Sequence, residues 1–329
     1  MKFGIGLVPE EGCDLSAKHS VRAEKAGLDY VFMSDHLKGR NVHVCLTAVA
    51  YSTERILIGP GVTNPYLIHP VATAQILSSI NEVAPSRVVC GLGAGDESNL
   101  RRVGVKQVKP VAAVREAVQI IRTILTGDTV DIDGEVFKIS NERFGFPKAD
   151  RLPILIGAQG DRMLRLAGEV GDGVIVNAAD PVECERAIKI VRRSGEDAGR
   201  SMEGFEWAAA MPFSIAEEAD DALKPLLPKV AVVAAGCDAS VLERLEISLE
   251  DRERVREAVL RDDYDEMVRS VTQEMIDSLS IAGTPDTCIE KIGRLVKAGV
   301  TLMVLAPPLG PGIDEAIDMV AIEVLPRFG

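Results

Sequence analysis

Residues 55–70, RILIGPGVTNPYLIHP, decide the fold. Ile56, Leu57 and Ile58 form a short apolar run of strand length and composition. It breaks at once into Gly59-Pro60-Gly61 and then Val62-Thr63-Asn64-Pro65. Two glycines about a proline, directly after a strand, suit a backbone that needs unusual dihedrals or that another group approaches closely. Pro70 stands where a helix begins, because proline in the first helical turn forfeits no hydrogen bond. A strand that runs into a polar, glycine-rich loop before a helix is where α/β folds place ligands. Taken alone, the segment fits a tight turn equally well. The choice rests on the remainder of the chain.

The strand-then-helix unit recurs on both sides of it. Strand-like runs fall at residues 2–8, 29–33, 87–92, 153–156, 173–176, 205–211 and 300–305. Helical patterns fall at 15–26, 42–52, 71–84, 111–125, 161–170, 181–198, from 285 to 298, and at 313–325. Two stretches interrupt the alternation. Residues 129–132 and 135–139 flank Asp133-Gly134 as a hairpin, and 216–279 reads as wholly helical with charged, solvated faces. Eight strands, mostly each followed by a helix, with no Pro/Gly/Ser-rich linker, predict an α/β fold of the (β/α)8 TIM-barrel type. The expectation is a single domain over 1–329 with insertions near 127–150 and 214–285.

Composition narrows the function. Net charge is −13 and hydrophobic residues make up 47% of the chain. That excess of acid argues against nucleic acid as a partner, while a local cluster of Arg and backbone N–H groups still suits a small anion. The six cysteines show no CxxC spacing, so reduced, mostly buried thiols in a cytoplasmic protein are expected. The N-terminus enters a strand without a signal-peptide pattern, and no apolar run reaches the roughly 18 residues of a membrane span.

A barrel binds its ligands at the C-terminal ends of its strands. Those ends hold Gly6 to Pro9, Asp35-His36, Gly61 to Asn64, Gly93 to Asp96, Gly157 to Gly160, Asn177-Ala178, Met211 to Ser214 and Ala306-Pro307. The run Gly91-Leu92-Gly93-Ala94-Gly95-Asp96 is a weak dinucleotide fingerprint, since no helix is expected to start at once after it. A backbone that admits a flat ligand fits it better. Gly157-Ala158-Gln159-Gly160 opens a helix, with Arg162 and Arg165 one turn on, and suits a phosphate. His36 at a strand end is a candidate acid, base or ring-edge donor, or else half of a structural pair with Asp35. Asp96 becomes a proton donor if desolvation raises its pKa. His19, His43 and His69 read as peripheral or helical and receive no role.

With these residues in hand, the chain resembles the luciferase-like (bacterial luciferase-fold) superfamily. Within it, the chain is most similar to archaeal coenzyme F420-dependent methylenetetrahydromethanopterin reductases. The segments that carry the resemblance are MKFGIGLVP, SDH, IGPGVTNPYLIHP, GLGAGD, PILIGAQG, DGVIVNA and SIAGTPD, spread over nearly the full length. The resemblance implies a deazaflavin, coenzyme F420, across the barrel mouth, with a non-prolyl cis peptide at Gly61–Val62. Asp35, His36, Gly61, Val62, Thr63, Asn64, Gly93, Ala94, Gly95 and Asp96 would edge its ring. Ala158, Gln159, Gly160, Asn177 and Ala178 would take the phosphate side. It also implies hydride transfer to a one-carbon unit on a pterin substrate, and a homo-oligomer, dimer or tetramer.

The reductases of the resemblance carry a glutamate as acid where this chain has Gly6. The proton is then expected from Asp96 or from Glu10 or Glu11, with Asp35 and His36 as the other catalytic candidates. FMN-dependent monooxygenase or reductase chemistry on the same barrel, or a non-catalytic F420-binding relative, are the alternatives.

Overall fold

The computed structural model describes residues 1–10, 12–146 and 151–329. β1 (Lys2–Leu7) leads into α1 (Cys13–Lys25), β2 (Tyr30–Met33) into α2 (Val42–Ser52), and β3 (Leu57–Pro60) into α3 (Pro70–Val83). β4 (Cys90–Leu92) is followed by the short α4 (Glu97–Arg102), by α5 (Pro110–Leu125), and by a hairpin of β5 (Val130–Asp133) and β6 (Lys138–Glu142). β7 (Ile154–Gly157), α6 (Asp161–Val170), β8 (Gly173–Val176), α7 (Pro181–Asp197) and β9 (Glu206–Ile215) resume the alternation. A run of helices follows: α8 (Ala219–Gly236), α9 (Ala239–Arg244), α10 (Leu249–Arg261), α11 (Tyr264–Ser270) and α12 (Gln273–Leu279). The chain ends with β10 (Ile281–Gly283), α13 (Pro285–Lys297), β11 (Leu302–Leu309) and α14 (Ile313–Met319). Among the described residues no helix is long and apolar enough to cross a membrane.

Eight of the strands pair in parallel in the order β3-β2-β1-β11-β9-β8-β7-β4. Isolated bridges Ile58↔Val88 and Thr63↔Leu92 join the two ends, so the sheet closes into the expected (β/α)8 barrel. Between those bridges β3 takes five residue steps and β4 takes four, which leaves one extra residue bulging from β3. The Gly61–Val62 peptide in this bulge is cis.

Side-chain parity divides the barrel wall. Phe3, Ile5 and Leu7 of β1 pack outward under the helices in the main core. Tyr30, Phe32, Val89, Leu155, Ile175, Ala208, Leu302 and Val304 fill the barrel axis. Burial of an aliphatic or aromatic side chain of this size stabilises by roughly 1.5–3 kcal/mol. At the N-terminal end the buried Glu206 accepts from Tyr30 Oη (3.2 Å) and Thr301 Oγ1 (2.7 Å) and pairs with Lys2, which closes the floor.

Three sequence expectations are corrected. The hairpin does not turn at Asp133-Gly134; Asp133 pairs with Lys138, and residues 134–137 form the turn. The buried Glu116 carboxylate of α5 accepts the N–H groups of Glu135 (2.7 Å), Val136 (3.1 Å) and Phe137 (2.8 Å), which opens the turn around it. A helix does start directly after the glycine run, because Asp96 caps α4 by accepting from Asn99 N at 2.8 Å. β9 extends past Met211 because β10 pairs with Phe213, Ser214 and Ile215.

Helices α8–α12 share a small core of their own, including Leu226, Val230, Leu242, Val255 and Met275. Glu183 on α7 fastens them to the barrel. Its carboxylate takes Arg186 (2.7 and 2.8 Å) and Arg244 of α9 (2.9 and 3.0 Å), both through two contacts. Burial alone would raise the Glu183 pKa, but the two guanidinium groups hold it below the ordinary value.

Glu116→Ala removes three charge-assisted hydrogen bonds from a buried carboxylate. We expect a loss of about 2–4 kcal/mol in stability and faster hydrogen exchange at the amides of Glu135, Val136 and Phe137. Unchanged protection at those amides would contradict the clamp.

Candidate active site at the barrel mouth

The bulge in β3 determines what the mouth looks like. It turns the half-buried Val62 side chain onto the barrel axis. A Cβ built on Gly93 would lie 2.8 Å from Val62 Cγ2, and one on Gly157 would lie 3.3 Å from Val62 Cγ1. A Cβ on Gly91 would lie 2.2 Å from the Pro60 carbonyl oxygen. Only glycine fits at Gly91 and Gly93. Gly6, Gly61, Ala210 and Ala306 supply further small groups at this level, so the layer beneath the mouth is shallow, with Val62 at its centre.

One rim of this floor is polar and fixed. Thr63 is fully buried and donates from Oγ1 to Asp35 Oδ2 at 2.6 Å. Its backbone completes the β3–β4 seam, with Thr63 N on the Gly91 carbonyl and Gly93 N on the Thr63 carbonyl, both at 2.9 Å. Asn64, 4% exposed, accepts from Tyr66 N (3.1 Å) and Leu67 N (3.0 Å) and so shapes the turn into α3. His36 is half-buried, and burial holds its pKa below the ordinary histidine value. The negative charges of Glu10 and Asp35 oppose that shift, and Lys229 and Lys38 reinforce it. Lys229 lies on α8, so the helical insertion reaches the mouth.

The glycine run after β4 forms the facing rim. Gln107 donates from Nε2 to the carbonyls of Ala94 (2.9 Å) and Gly95 (3.0 Å), a brace that sequence motifs did not reveal. Asp96 is exposed. Its Oδ1 accepts from Ser98 Oγ (2.5 Å) as well as Asn99 N, while Oδ2 points toward Gly236 at the end of α8. The burial on which its reading as a proton donor depends is therefore absent. Gly6 is buried in β1, where a Cβ would stand 3.1 Å from Ala306 Cα. Glu10 is exposed, and its backbone carbonyl accepts from Arg40. Glu11 lies outside the described residues, as do 147–150 of the first insertion.

The phosphate-side candidates come together at the α6 N-terminus. Ala158 N is committed to the Ile175 carbonyl at 3.0 Å. The N–H groups of Gln159 and Gly160 have no acceptor among the described residues, and a Cβ on Gly160 would meet nothing within 4 Å. Such amides at a helix start carry partial positive charge. Asp161 would weaken that field, but Arg186 bonds it at 2.7 Å, and this lowers the Asp161 pKa and neutralises it locally. Asn177 is exposed at the end of β8 beside the buried Ala178. Arg162 and Arg143 are exposed and form no ion pair among the described residues.

The arrangement suits a planar ring on a shallow floor, joined to an anionic tail. Comparison with known proteins identifies the family. The luciferase-like monooxygenase family model matches residues 1–302. The 5,10-methylenetetrahydromethanopterin reductase of Archaeoglobus fulgidus is 41% identical, with 100% of both chains covered. That of Methanolobus tindarius is 36% identical over 99% of this chain and 100% of its own. The structure of the coenzyme F420-dependent tetrahydromethanopterin reductase from Methanopyrus kandleri superimposes with a TM-score of 0.93 at 34% identity, covering 100% of this chain and 99% of that one.

Burial lowers the pKa of His36 and of His43 below the ordinary value of 6.5. In that window the unfolded chain binds protons that the folded chain refuses, so stability falls as pH drops through 6.5 toward the folded-state values. The depressed carboxylates Glu183 and Asp161, with ordinary values of 4.5 and 3.8, act only at lower pH. Thermal denaturation should show Tm falling by a few degrees between about pH 7 and 5.5, with the slope reduced in a His36→Gln/His43→Gln variant. A flat Tm across that range would refute the assignment.

Proposed function

The chain belongs to the luciferase-like monooxygenase family, and from that premise we infer that it is a coenzyme F420-dependent oxidoreductase, a 5,10-methylenetetrahydromethanopterin reductase. The observation that carries the reading is the mouth itself: a glycine and alanine floor about Val62, a fixed polar rim, and open amides at the α6 N-terminus. Those features fit a flat ring with a phosphate, and the relatives' cofactor selects the deazaflavin over FMN. When bound, F420 supplies a hydride for the one-carbon unit of the pterin. Everything else is the work of this chain's residues.

We assign the ring contacts to Asp35, His36, Gly61, Val62, Thr63, Asn64, Gly93, Ala94 and Gly95, and the phosphate side to Ala158, Gln159, Gly160, Asn177 and Ala178. The bond between Thr63 and Asp35 fixes the carboxylate, so orientation is set before ligand arrives. His36, held neutral by its burial near neutral pH, presents a ring N–H rather than a cation. Opening the methylene bridge of the substrate requires a proton at a pterin nitrogen. Gly6 has no group to give one. Asp96 is the donor in this reading, through Oδ2, the oxygen that its capping bonds leave free; closing of the mouth on substrate would supply the desolvation that the open site lacks. The same reading takes the whole chain as one barrel domain with two insertions, and as a dimer or tetramer.

Titration of the purified protein with F420 and, separately, with FMN tests the cofactor. Tight F420 binding and weak FMN binding are expected, followed by methylene-pterin reduction; preference for FMN would overturn the reading. Asp35→Asn should weaken F420 binding about tenfold or more. Asp96→Asn should leave binding intact and lower kcat by about 100-fold, and full turnover would remove Asp96 as acid. Gly6→Glu restores a carboxyl at the floor. It should raise turnover while Tm falls, because its Cβ crowds Ala306; turnover at or below the parent level would show that the site does not use an acid at that position.

A further inference from the structure

α2 carries a buried imidazole that the reaction as described does not use. His43 is 5% exposed, and neither Nδ1 nor Nε2 has a hydrogen-bond partner among the described residues. A neutral imidazole always presents one N–H donor and one acceptor. Leaving both unpaired in a protein interior is unfavourable, so such a group calls for an explanation. Its backbone is fixed. Asn41 caps α2 by accepting from His43 N at 3.0 Å and Val44 N at 3.2 Å, which anchors the ring to the first helical turn. Burial disfavours the imidazolium and holds its pKa below the ordinary value, against the opposing field of Asp35.

The charged group whose field reaches His43 is the Asp35 carboxylate. Asp35 uses Oδ2 for Thr63, and its side chain makes no other hydrogen bond among the described residues. A buried donor without an acceptor thus stands near an acceptor oxygen without a donor, and the second belongs to the rim of the site. We propose that His43 is a positioning residue for Asp35: its ring N–H reaches the second carboxylate oxygen through one bridging water, so that Oδ2 stays on Thr63 and the carboxylate keeps one orientation toward the bound ring. This rests on the assignment of Asp35 as a cofactor contact. His43 itself touches neither cofactor nor substrate.

The test combines F420 binding, read from cofactor fluorescence, with the Tm of the unliganded protein. His43→Phe keeps an apolar ring and removes the donor; His43→Leu serves the same end if the larger ring prevents folding. The expected result is F420 binding weakened about tenfold, the worth of one hydrogen bond to a charged group, with Tm unchanged or raised because a buried polar imidazole is gone. His43→Gln, which retains an N–H donor, should bind within about threefold of the parent. In an Asp35→Asn background the further change to Phe should alter binding by less than about twofold, since its route of action is already cut. Parent-like binding by His43→Phe and His43→Leu, while Asp35→Asn binds weakly, would overturn the role of His43 alone. Parent-like binding by Asp35→Asn would overturn the placement of Asp35, and the inference with it. Equal weakening by His43→Phe in both backgrounds would show that the ring acts on the barrel and not through Asp35.

Discussion

The site depends on a steric exchange between β3 and its neighbours. One extra residue in β3 puts Val62 on the barrel axis, and the barrel accommodates it only because Gly91, Gly93 and Gly157 have no side chains there. A parallel barrel normally fills its axis with branched side chains from alternate strands. Here the lower levels do so, through Tyr30, Phe32, Val89, Leu155 and Leu302, and the upper level gives way to glycine and alanine. Glycine within strands is unfavourable, by roughly 0.5–1 kcal/mol relative to alanine at each position. That expense is concentrated in the one layer at the mouth, and the packed levels beneath offset it.

A floor this open needs its rims held from outside. Three side chains do so. Thr63 ties β3 to Asp35 of the β2 loop, Asn64 closes the turn into α3, and Gln107 grips the carbonyls of Ala94 and Gly95. On the far side Arg186 serves two purposes. It quiets Asp161 at the α6 N-terminus, and it joins Arg244 on Glu183, which couples the helical insertion to the phosphate-side rim. The insertion returns to the mouth at Lys229, near His36. The rim and α8–α12 are therefore joined through the ion pairs of Arg186, Glu183 and Arg244.

The barrel was legible because periodicity and punctuation survive in sequence. Residues 42–52, 161–170 and 173–176 were read at the limits the structure gives, since each ends on a Gly, a capping residue or a polarity change. The misjudged places share a cause: a partner distant in sequence. The hairpin turn is opened by Glu116, which stands 19 residues before the first amide that it accepts. β9 is lengthened by β10, across the whole helical insertion. α4 was missed although its cap, Asp96, is local, because the glycine run before it masked the start. His43 was set aside as helical. Its sequence neighbours, all apolar or small, give no sign that both ring nitrogens are buried without partners.

Gly6 follows the same steric logic as the rest of the upper layer. Gly6 lies on the interior face of β1, and a Cβ there would press on Ala306 at 3.1 Å, a contact tighter than packed neighbours usually accept. An acid at that position needs β11 to yield; its absence lets β1 and β11 sit close and extends the flat floor from Val62 to Ala306. In the reading proposed above, acid chemistry then comes from the rim. The rim differs from the floor in that a carboxylate there begins in water and in capping bonds, as at Asp96. A rim acid becomes effective only when the substrate displaces that water. Proton delivery would thus be coupled to closure over the pterin, whereas an acid on the floor would be poised before substrate arrived.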